Sequence, residues 1–190
     1  MMRATELAHL LMRRTLKSGD WALDATVGNG HDTVLLAESV GPSGRVFGFD
    51  LQATAIAATD KRVEGHSQVT LFQAGHERLS DYLPEDSQLA GIMFNLGYLP
   101  GASQEIITSA DTTIAALGLA LERLKVGGLL TLVLYPGHRG GDIETTAVRA
   151  FTKNLGRQFT AAQFMRFNSE RPAPELLVIE RTRPIFENQP

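Results

Sequence analysis

The sequence predicts an α/β fold: a doubly wound, mostly parallel seven-stranded sheet with one antiparallel edge strand. Apolar runs of strand length alternate with helical patterns along the 190 residues, which is the order of elements in such folds. The predicted strands are almost continuously apolar, as is typical of strands covered on both faces. The last two strands have no helix between them, so we expect them to pair antiparallel at one edge of the sheet.

The first half of the chain is predicted to hold three helices and four strands. Leu7, Leu10 and Leu11 share one side of an amphipathic helix over residues 4–16. A buried strand at 21–26 is followed by a glycine turn, where the second helix begins near His31. The remaining elements are a strand at 45–50, an alanine-rich helix at 53–63, and strands at 69–74 and 89–95.

The second half is predicted to hold two helices and three strands. The helix at 111–124 is capped by Asp111 or Ser109 and is stopped by the pair Gly127 and Gly128. The helix at 143–155 is followed by Gly156, which we place in the C′ position. The three strands are at 128–135, 159–167 and 176–182, and a proline-bearing stretch joins the last two.

Composition indicates a single domain of residues 1–190, long enough to bury about 70 % of its unfolded surface. The chain has no cysteine, which excludes disulfides and zinc–thiolate sites. Its histidines do not fall at a metal-ligand spacing, so no metal is predicted.

Charges interrupt the apolar residues at the N-terminus, which favours a cytoplasmic protein over a signal peptide or membrane span. The net charge is −3, so a nucleic acid would have to be bound by scattered arginines.

A glycine loop between the first strand and the second helix predicts a nucleoside-containing cofactor. Gly28 and Gly30 allow a tight turn in which backbone amides approach a ligand closely. Asp50 ends the second strand, 20 residues after Gly30. An acid at that distance binds the ribose hydroxyls in nucleotide-binding α/β folds.

Two residues favour S-adenosylmethionine over a dinucleotide. Thr33 stands where the dinucleotide fingerprint has its third small residue. Asp24 ends the first strand, where it would repel a pyrophosphate but suit an ammonium or sulfonium group; a turn or capping role for Asp24 is the alternative. The candidate cofactor-binding residues are Asp24, Gly28, Asn29, Gly30, Asp32, Thr33, Asp50, Gln52, Gly75, His76 and Asn95.

Polar residues at the ends of the fourth and fifth strands are the candidate catalytic and substrate residues. The side-chain amide of Asn95 and a neighbouring carbonyl can hold an amine in position for reaction, and Tyr98 lies beside them in sequence. The alternative is that Asn95 closes a turn and that Tyr98 is a packed aromatic.

The loop after the fifth strand adds Tyr135, His138 and Arg139 as candidate substrate residues. His138 is a candidate general base because imidazole titrates near neutrality, and Arg139 could bind a phosphate. Both residues could equally be ordinary loop residues. His9 and His66 have no polar constellation around them in the sequence and are interpreted as surface residues.

Three motifs together resemble one family, the YtqB-like group of putative rRNA methylases, which are small class I S-adenosylmethionine-dependent methyltransferases with a Rossmann-like fold. The motifs are residues 24–33 (Asp-Ala-Thr-Val-Gly-Asn-Gly-His-Asp-Thr), 94–101 (Phe-Asn-Leu-Gly-Tyr-Leu-Pro-Gly) and 135–141 (Tyr-Pro-Gly-His-Arg-Gly-Gly). The resemblance covers almost the whole chain. Where the family tends to carry Asp-Ser-His after the third strand, this chain has Ala74, Gly75 and His76.

The resemblance implies N-methylation of the aminomethyl group on a wobble uridine of tRNA, with the anticodon region as the partner and a possible homodimer. Three other functions remain open at this point. One is an rRNA or small-molecule methyltransferase of the same fold. A nicotinamide-dependent oxidoreductase is disfavoured by Thr33 and Asp24, and a non-catalytic RNA-binding protein is disfavoured by the polar cluster after the fourth and fifth strands.

Overall fold

The computed structural model describes residues 2–97, 109–137, 140–170 and 172–184, and in them helices and strands alternate along the chain. The helices are α1 (Ala4–Thr15), α2 (His31–Val40), α3 (Ala53–Arg62), α4 (Ala110–Arg123) and α5 (Gly141–Lys153), with a 3₁₀ helix over His76–Asp81. The strands are β1 (Trp21–Asp24), β2 (Arg45–Asp50), β3 (Val69–Gln73), β4 (Leu89–Asn95), β5 (Leu124–Leu134), β6 (Phe159–Phe164) and β7 (Glu175–Arg181).

The strands form one seven-stranded sheet in the order β3-β2-β1-β4-β5-β7-β6. The pairings among β1 to β5 are parallel, whereas β7 is antiparallel to both β5 and β6. The predicted fold is confirmed, with one refinement: the reversed strand β7 lies one position in from the edge, and β6 forms the edge itself. All the carboxyl ends of β1 to β5 therefore lie at one side of the sheet.

Both faces of the sheet are covered, which explains why the strands are so apolar. The adjacent residues Ala22 and Leu23 of β1 are both fully buried but point to opposite faces. Ala22 packs in the cluster beneath α1 and α2, and Leu23 packs in the cluster beneath α4 and α5. Among the described residues no helix is long and apolar enough to cross a lipid bilayer.

The predicted boundary between α4 and β5 is wrong. Ser109 is the cap, since its hydroxyl accepts a hydrogen bond from the amide of Thr112 at 3.4 Å, but Gly127 and Gly128 do not stop the helix. The helix ends at Arg123 and β5 begins at the next residue. The register with β4 shifts between Leu89↔Leu124 and Gly91↔Leu129, and Gly127 has a φ of +77°. The glycines therefore allow an irregular start to a strand rather than ending a helix.

Two other boundaries differ by a few residues. The strand predicted at 159–167 ends at Phe164, so the segment joining β6 to β7 is residues 165–174. The helix α5 has Asn154 as its C-cap, so Gly156 is one residue beyond the C′ position predicted for it. Asn154 closes the helix by donating its side-chain amide to the carbonyl of Ala150 at 2.9 Å.

Candidate active site

A cavity of about 640 Å³ opens at the carboxyl side of the sheet, where β1, β2, β4 and β5 end. This volume is in the range of small-molecule and cofactor sites. Most of the predicted site residues within the described ranges line it: Gly28, Asn29, Asp32, Asp50, Gln52, Gly75, His76, Asn95 and Tyr135. Asp24, Gly30 and Thr33 do not line it, and lie behind the wall formed by the loop after β1.

The glycine loop is fixed to two neighbouring elements. The amide of Gly28 donates to a carboxylate oxygen of Asp50 at 2.9 Å, and its carbonyl accepts from the hydroxyl of Thr59 on α3 at 3.2 Å. Gly30 has a φ of +79°, and a Cβ there would lie 2.6 Å from the Thr59 hydroxyl oxygen. Glycine is required at this position both by the backbone conformation and by the packing of α3. The loop therefore presents its backbone to the cavity from a fixed position.

Asp50 has free acceptor capacity at the cavity wall. Its second carboxylate oxygen accepts the amide of Gln52 at 2.9 Å, so both oxygens are oriented by backbone donors. A carboxylate has about four acceptor sites, of which its hydrogen bonds with the described residues use two. Two further sites would match the paired hydroxyls of a ribose.

Asp24 is a buried acid behind the glycine loop. It is fully buried, accepts the Thr33 hydroxyl at 2.6 Å and accepts the amide of Thr26 at 3.1 Å. Burial, and after it the negative charge of Asp32, raises the pKa of Asp24 to about 7. Thr33, which departs from the dinucleotide fingerprint, thus serves as a hydrogen-bond donor to this acid.

Asp32 connects the cavity to the N-terminal helix. One of its carboxylate oxygens lies 2.5 Å from the Nε2 atom of His9 on α1, and the two side chains are only 11 % and 31 % exposed. The interpretation of His9 as a surface residue is therefore wrong. His9 adjoins the buried residues Ala8 and Met12 in the helix, but no local pattern links it to an acid 23 residues away.

Asn95 and Tyr135 meet at the opposite side of the cavity. The side chain of Asn95 lies close enough to the Tyr135 hydroxyl to interact with it, and the backbone amide of Asn95 donates to the Thr26 hydroxyl at 2.7 Å. Burial raises the pKa of Tyr135 above its usual value of 10.0, so the phenol stays protonated. Gly97 lies against the Tyr135 ring, and a Cβ at that position would be in ordinary contact with the ring at 3.5 Å.

His76 forms part of the wall after β3. Its Nδ1 atom lies 3.1 Å from the carbonyl oxygen of Ala25, so Nδ1 is the donor and Nε2 is an acceptor in the neutral ring. Burial lowers the pKa of His76 below 6.5, which favours that neutral form. Among the described residues its buried Nε2 has no hydrogen-bond partner.

Several cavity residues were not predicted from the sequence. Ser109 and Thr112 line the cavity from the start of α4, and Pro172 and Pro174 line it from the segment before β7. The two prolines were a visible signal of a constrained loop, but nothing local showed that the loop turns towards the other strand ends. Glu77 also lines the cavity, next to Gly75.

Three predicted residues, Tyr98, His138 and Arg139, lie outside the described residues. Their chain neighbours Gly97 and Gly137 both line the cavity. In the described part of the chain no group of three or more His, Asp or Glu side chains is arranged to hold a metal ion.

The chemistry of the cavity fits S-adenosylmethionine. Asp50 offers acceptors for the ribose hydroxyls, and the apolar side chains of Phe49 and Ala74 line the adjoining wall. Asp32 places a carboxylate at the wall beside the glycine loop, with Asp24 behind it, which suits the positive charges of this cofactor. A pyrophosphate at the same place would meet both acids.

Comparison with known proteins gives the same answer. The family model described as "putative rRNA methylase" matches residues 46–180. A relative from Arabidopsis thaliana, named "tRNA (mnm(5)s(2)U34)-methyltransferase, chloroplastic", is 39% identical over 188 residues, which cover 93% of this chain and 68% of that protein.

Two crystal structures share both fold and sequence with the chain. A "putative rRNA-methylase" from Clostridium thermocellum has a TM-score of 0.91 and 38% identity, covering 95% of this chain and 98% of that one. A "putative methyltransferase" from Streptococcus mutans, in complex with SAH, has a TM-score of 0.86 and 35% identity, covering 95% and 99%. The chain therefore belongs to the putative rRNA methylase family of class I methyltransferases, and its cofactor is S-adenosylmethionine.

Proposed function

We propose that the protein methylates the aminomethyl nitrogen on a wobble uridine of tRNA. The observation that carries this proposal is that Asn95 and Tyr135 lie together at the cavity wall, where they form two interacting polar groups able to hold an amine. The Arabidopsis relative, whose name states a tRNA substrate, supports the same choice. The anticodon region of tRNA would then be the partner.

Asn95 is proposed to orient the acceptor. Its amide oxygen can accept an N–H of the substrate amine and thereby direct the nitrogen lone pair into the cavity. The hydrogen bond to Thr26 holds the Asn95 backbone in place, and the Tyr135 hydroxyl lies beside the Asn95 side chain. Such pre-orientation raises the rate without any covalent intermediate on the protein.

The acceptor nitrogen must lose a proton in this reaction. S-adenosylmethionine, when bound, supplies an electrophilic methyl group on its sulfonium. An amine attacks only in its neutral form, so turnover should rise as the substrate ammonium deprotonates. We propose His138 as the group that takes the proton. Tyr98, Tyr135 and Arg139 are proposed to contact the substrate, Arg139 through a phosphate.

The cofactor contacts are proposed on the geometry of the cavity. Asp50 would bind the ribose hydroxyls, with Gln52, Gly75 and His76 near the nucleoside. Asp32 would face the positive charges of the methionine part, across the backbone of Gly28 and Asn29. Asp24, Gly30 and Thr33 would act from behind the wall, by fixing the loop and setting its charge.

A second candidate is methylation of ribosomal RNA, which the description of the family model favours. The two functions differ in which RNA carries the new methyl group. A homodimer and a cytoplasmic location remain predictions. The molar mass in solution tests the first, and localisation of the protein in its own cells tests the second.

Nucleoside analysis of cells that lack the gene tests the proposal. Their tRNA should accumulate 5-aminomethyluridine or its 2-thio form, and purified protein with labelled S-adenosylmethionine should methylate that tRNA. Expression of the wild-type gene should restore the methylated nucleoside, and Asn95→Ala should not. An unchanged tRNA profile together with label in ribosomal RNA would replace this proposal by the second candidate.

A further inference from the structure

The end of β6 and the segment that follows it expose apolar side chains at the side of the sheet where the cavity opens. Phe167 is 93% exposed, and Phe164 and Met165 are 48% and 42% exposed. One exposed apolar residue on a surface is ordinary, but three within four positions are an unusual local concentration, which we call the patch. Concentrations of exposed apolar side chains are typical of interaction sites.

Sheet register places this patch at the catalytic side of the molecule. Glu175 pairs with Leu134 at the end of β5, and Phe164 pairs with Leu176 at the end of β6. The segment between them therefore emerges beside Tyr135. Its Pro172 and Pro174 line the cavity, so one end of the segment forms cavity wall while the other presents Phe167 to solvent.

Both ends of the segment are held by one carboxylate. One carboxylate oxygen of Glu175 accepts a hydrogen bond from the side-chain amide of Gln163 at 2.6 Å and another from the guanidinium of Arg149 at 2.5 Å. Because side chains alternate along a strand, Gln163 faces α5 and Phe164 faces the other side. The hydrogen bonds to Glu175 therefore fix the strand ends from which the patch extends.

The composition of the patch points to nucleic acid. Arg166 lies between Met165 and Phe167 and is itself exposed, so a guanidinium alternates with apolar and aromatic side chains. Single-stranded RNA is bound by this combination: aromatic rings stack on bases and cations pair with phosphates. A base that enters a cavity must also leave its stack, and its neighbour then loses a stacking partner close to the rim.

We propose that residues 164–167 are a nucleotide-docking surface, where an unpaired base next to the target stacks on Phe167 and a phosphate pairs with Arg166. This inference rests on the RNA substrate of the proposed function and names the surface that binds it. It does not depend on which RNA is methylated.

The test is RNA binding by matched variants. Phe167→Ala removes the ring, Phe167→Trp keeps a stacking surface, and Arg166→Ala removes the charge. Val126→Ala is the control, because Val126 is 49% exposed but lies near the start of β5, at the opposite side of the sheet. The probes are bulk tRNA and bulk ribosomal RNA from cells lacking the gene, titrated with S-adenosylhomocysteine present. S-adenosylmethionine affinity and molar mass are measured for each variant.

Phe167→Ala should weaken binding of the preferred RNA by roughly 5- to 150-fold, the loss expected for one stacked base. Phe167→Trp and Val126→Ala should bind as the wild type does. Arg166→Ala should lower the slope of log affinity against log salt by about 0.7, the value for one phosphate on a single strand. Cofactor affinity should not change in any of them.

Unchanged RNA binding by Phe167→Ala would overturn the inference, and so would a wild type that binds neither RNA. A loss of dimer mass in Phe167→Ala, with RNA binding intact in the monomer, would instead identify the patch as an interface between copies. Preference of the wild type for ribosomal RNA would contradict the tRNA proposal. In that case, binding of ribosomal RNA by Phe167→Ala would still test the docking surface.

Discussion

The imidazole of His9 lies 2.5 Å from a carboxylate oxygen of Asp32, so the N-terminal helix contacts the wall of the cofactor cavity directly. The neighbouring acid Asp24 is fully buried, whereas Asp32 lines the cavity beside the glycine loop. The first helix therefore supports a residue of the cavity wall.

His9→Ala should weaken S-adenosylmethionine binding by roughly three- to thirtyfold, because one charge-assisted hydrogen bond to Asp32 is lost. His9→Gln, which keeps a donor, should recover part of that loss. Calorimetric titration measures both variants. Arg13→Ala on the same helix is the control, since the Arg13–Glu38 pair is exposed. Equal affinities for His9→Ala and the wild type would show that Asp32 needs no partner.

Asp50→Ala should weaken binding of S-adenosylmethionine and S-adenosylhomocysteine alike, by well over tenfold. Both ligands contain the same ribose, and each hydrogen bond to a charged group contributes roughly 1.5–3 kcal/mol. Asp50→Asn keeps one acceptor oxygen and should be intermediate. The variants are titrated after thermal unfolding confirms their folding, because Asp50 also accepts the amide of Gly28. Near-wild-type affinity would remove Asp50 from the ribose site, and NAD should not bind in the same experiment.

Asn95→Ala should lower turnover at least about 100-fold while changing cofactor affinity only a few-fold, since the residue is proposed to position the acceptor. Tyr135→Phe removes the hydroxyl that contacts Asn95 and should cost about tenfold. The double variant should be no slower than Asn95→Ala, because the two neighbouring side chains are proposed to act as one unit. Single-turnover rates on tRNA measure this. Additive losses would mean that the two residues contact the substrate independently.

Asp24 should make the unliganded protein less stable as pH rises from 3.8 towards about 7. Across this interval the folded protein retains a proton on Asp24 that the unfolded chain has lost, so the free energy of unfolding falls with pH and levels off above it. Asp24→Asn should remove this part of the slope, on the order of 1–4 kcal/mol over the whole interval. Urea unfolding across the interval measures the slope.

Asp60→Asn is the control for that experiment, because Asp60 is exposed. This variant should keep the wild-type slope of the free energy of unfolding against pH. An asparagine at position 24 also loses one of two hydrogen bonds, to Thr33 or Thr26. That loss lowers the free energy of unfolding at every pH without changing its slope against pH. A wild-type slope in Asp24→Asn would contradict the raised pKa.

Much of the fold was predictable, because its signals are local. The strands at 45–50 and 89–95 were predicted with their observed bounds, since continuous apolar runs end there in a carboxylate and an amide. The pair Gly127 and Gly128 misled the prediction, because a helix stop and a bulged strand start both call for glycine. Only the register with β4 separates the two.

The candidate site was predictable where residues follow strand ends, and not where distant segments meet. Gly28 was identified from the glycine turn and Asp50 from its distance to Gly30, and the hydrogen bond between Gly28 and Asp50 is in the structure. His9 was missed because its partner is on another helix. The positions of Pro172 and Pro174 depend on the reversal of β7, whose consequences for the cavity only the sheet order reveals.

The packing of α1 against distant strands has a consequence for the synthesis of the protein. This helix is synthesised before β7 but packs against β5 and β7 as well as α2, so part of its apolar face has no partner until β7 has left the ribosome. The contact between His9 and Asp32 depends on this packing of α1. A nascent or truncated chain that ends before β7 would carry the glycine loop and Asp50, yet bind its cofactor weakly.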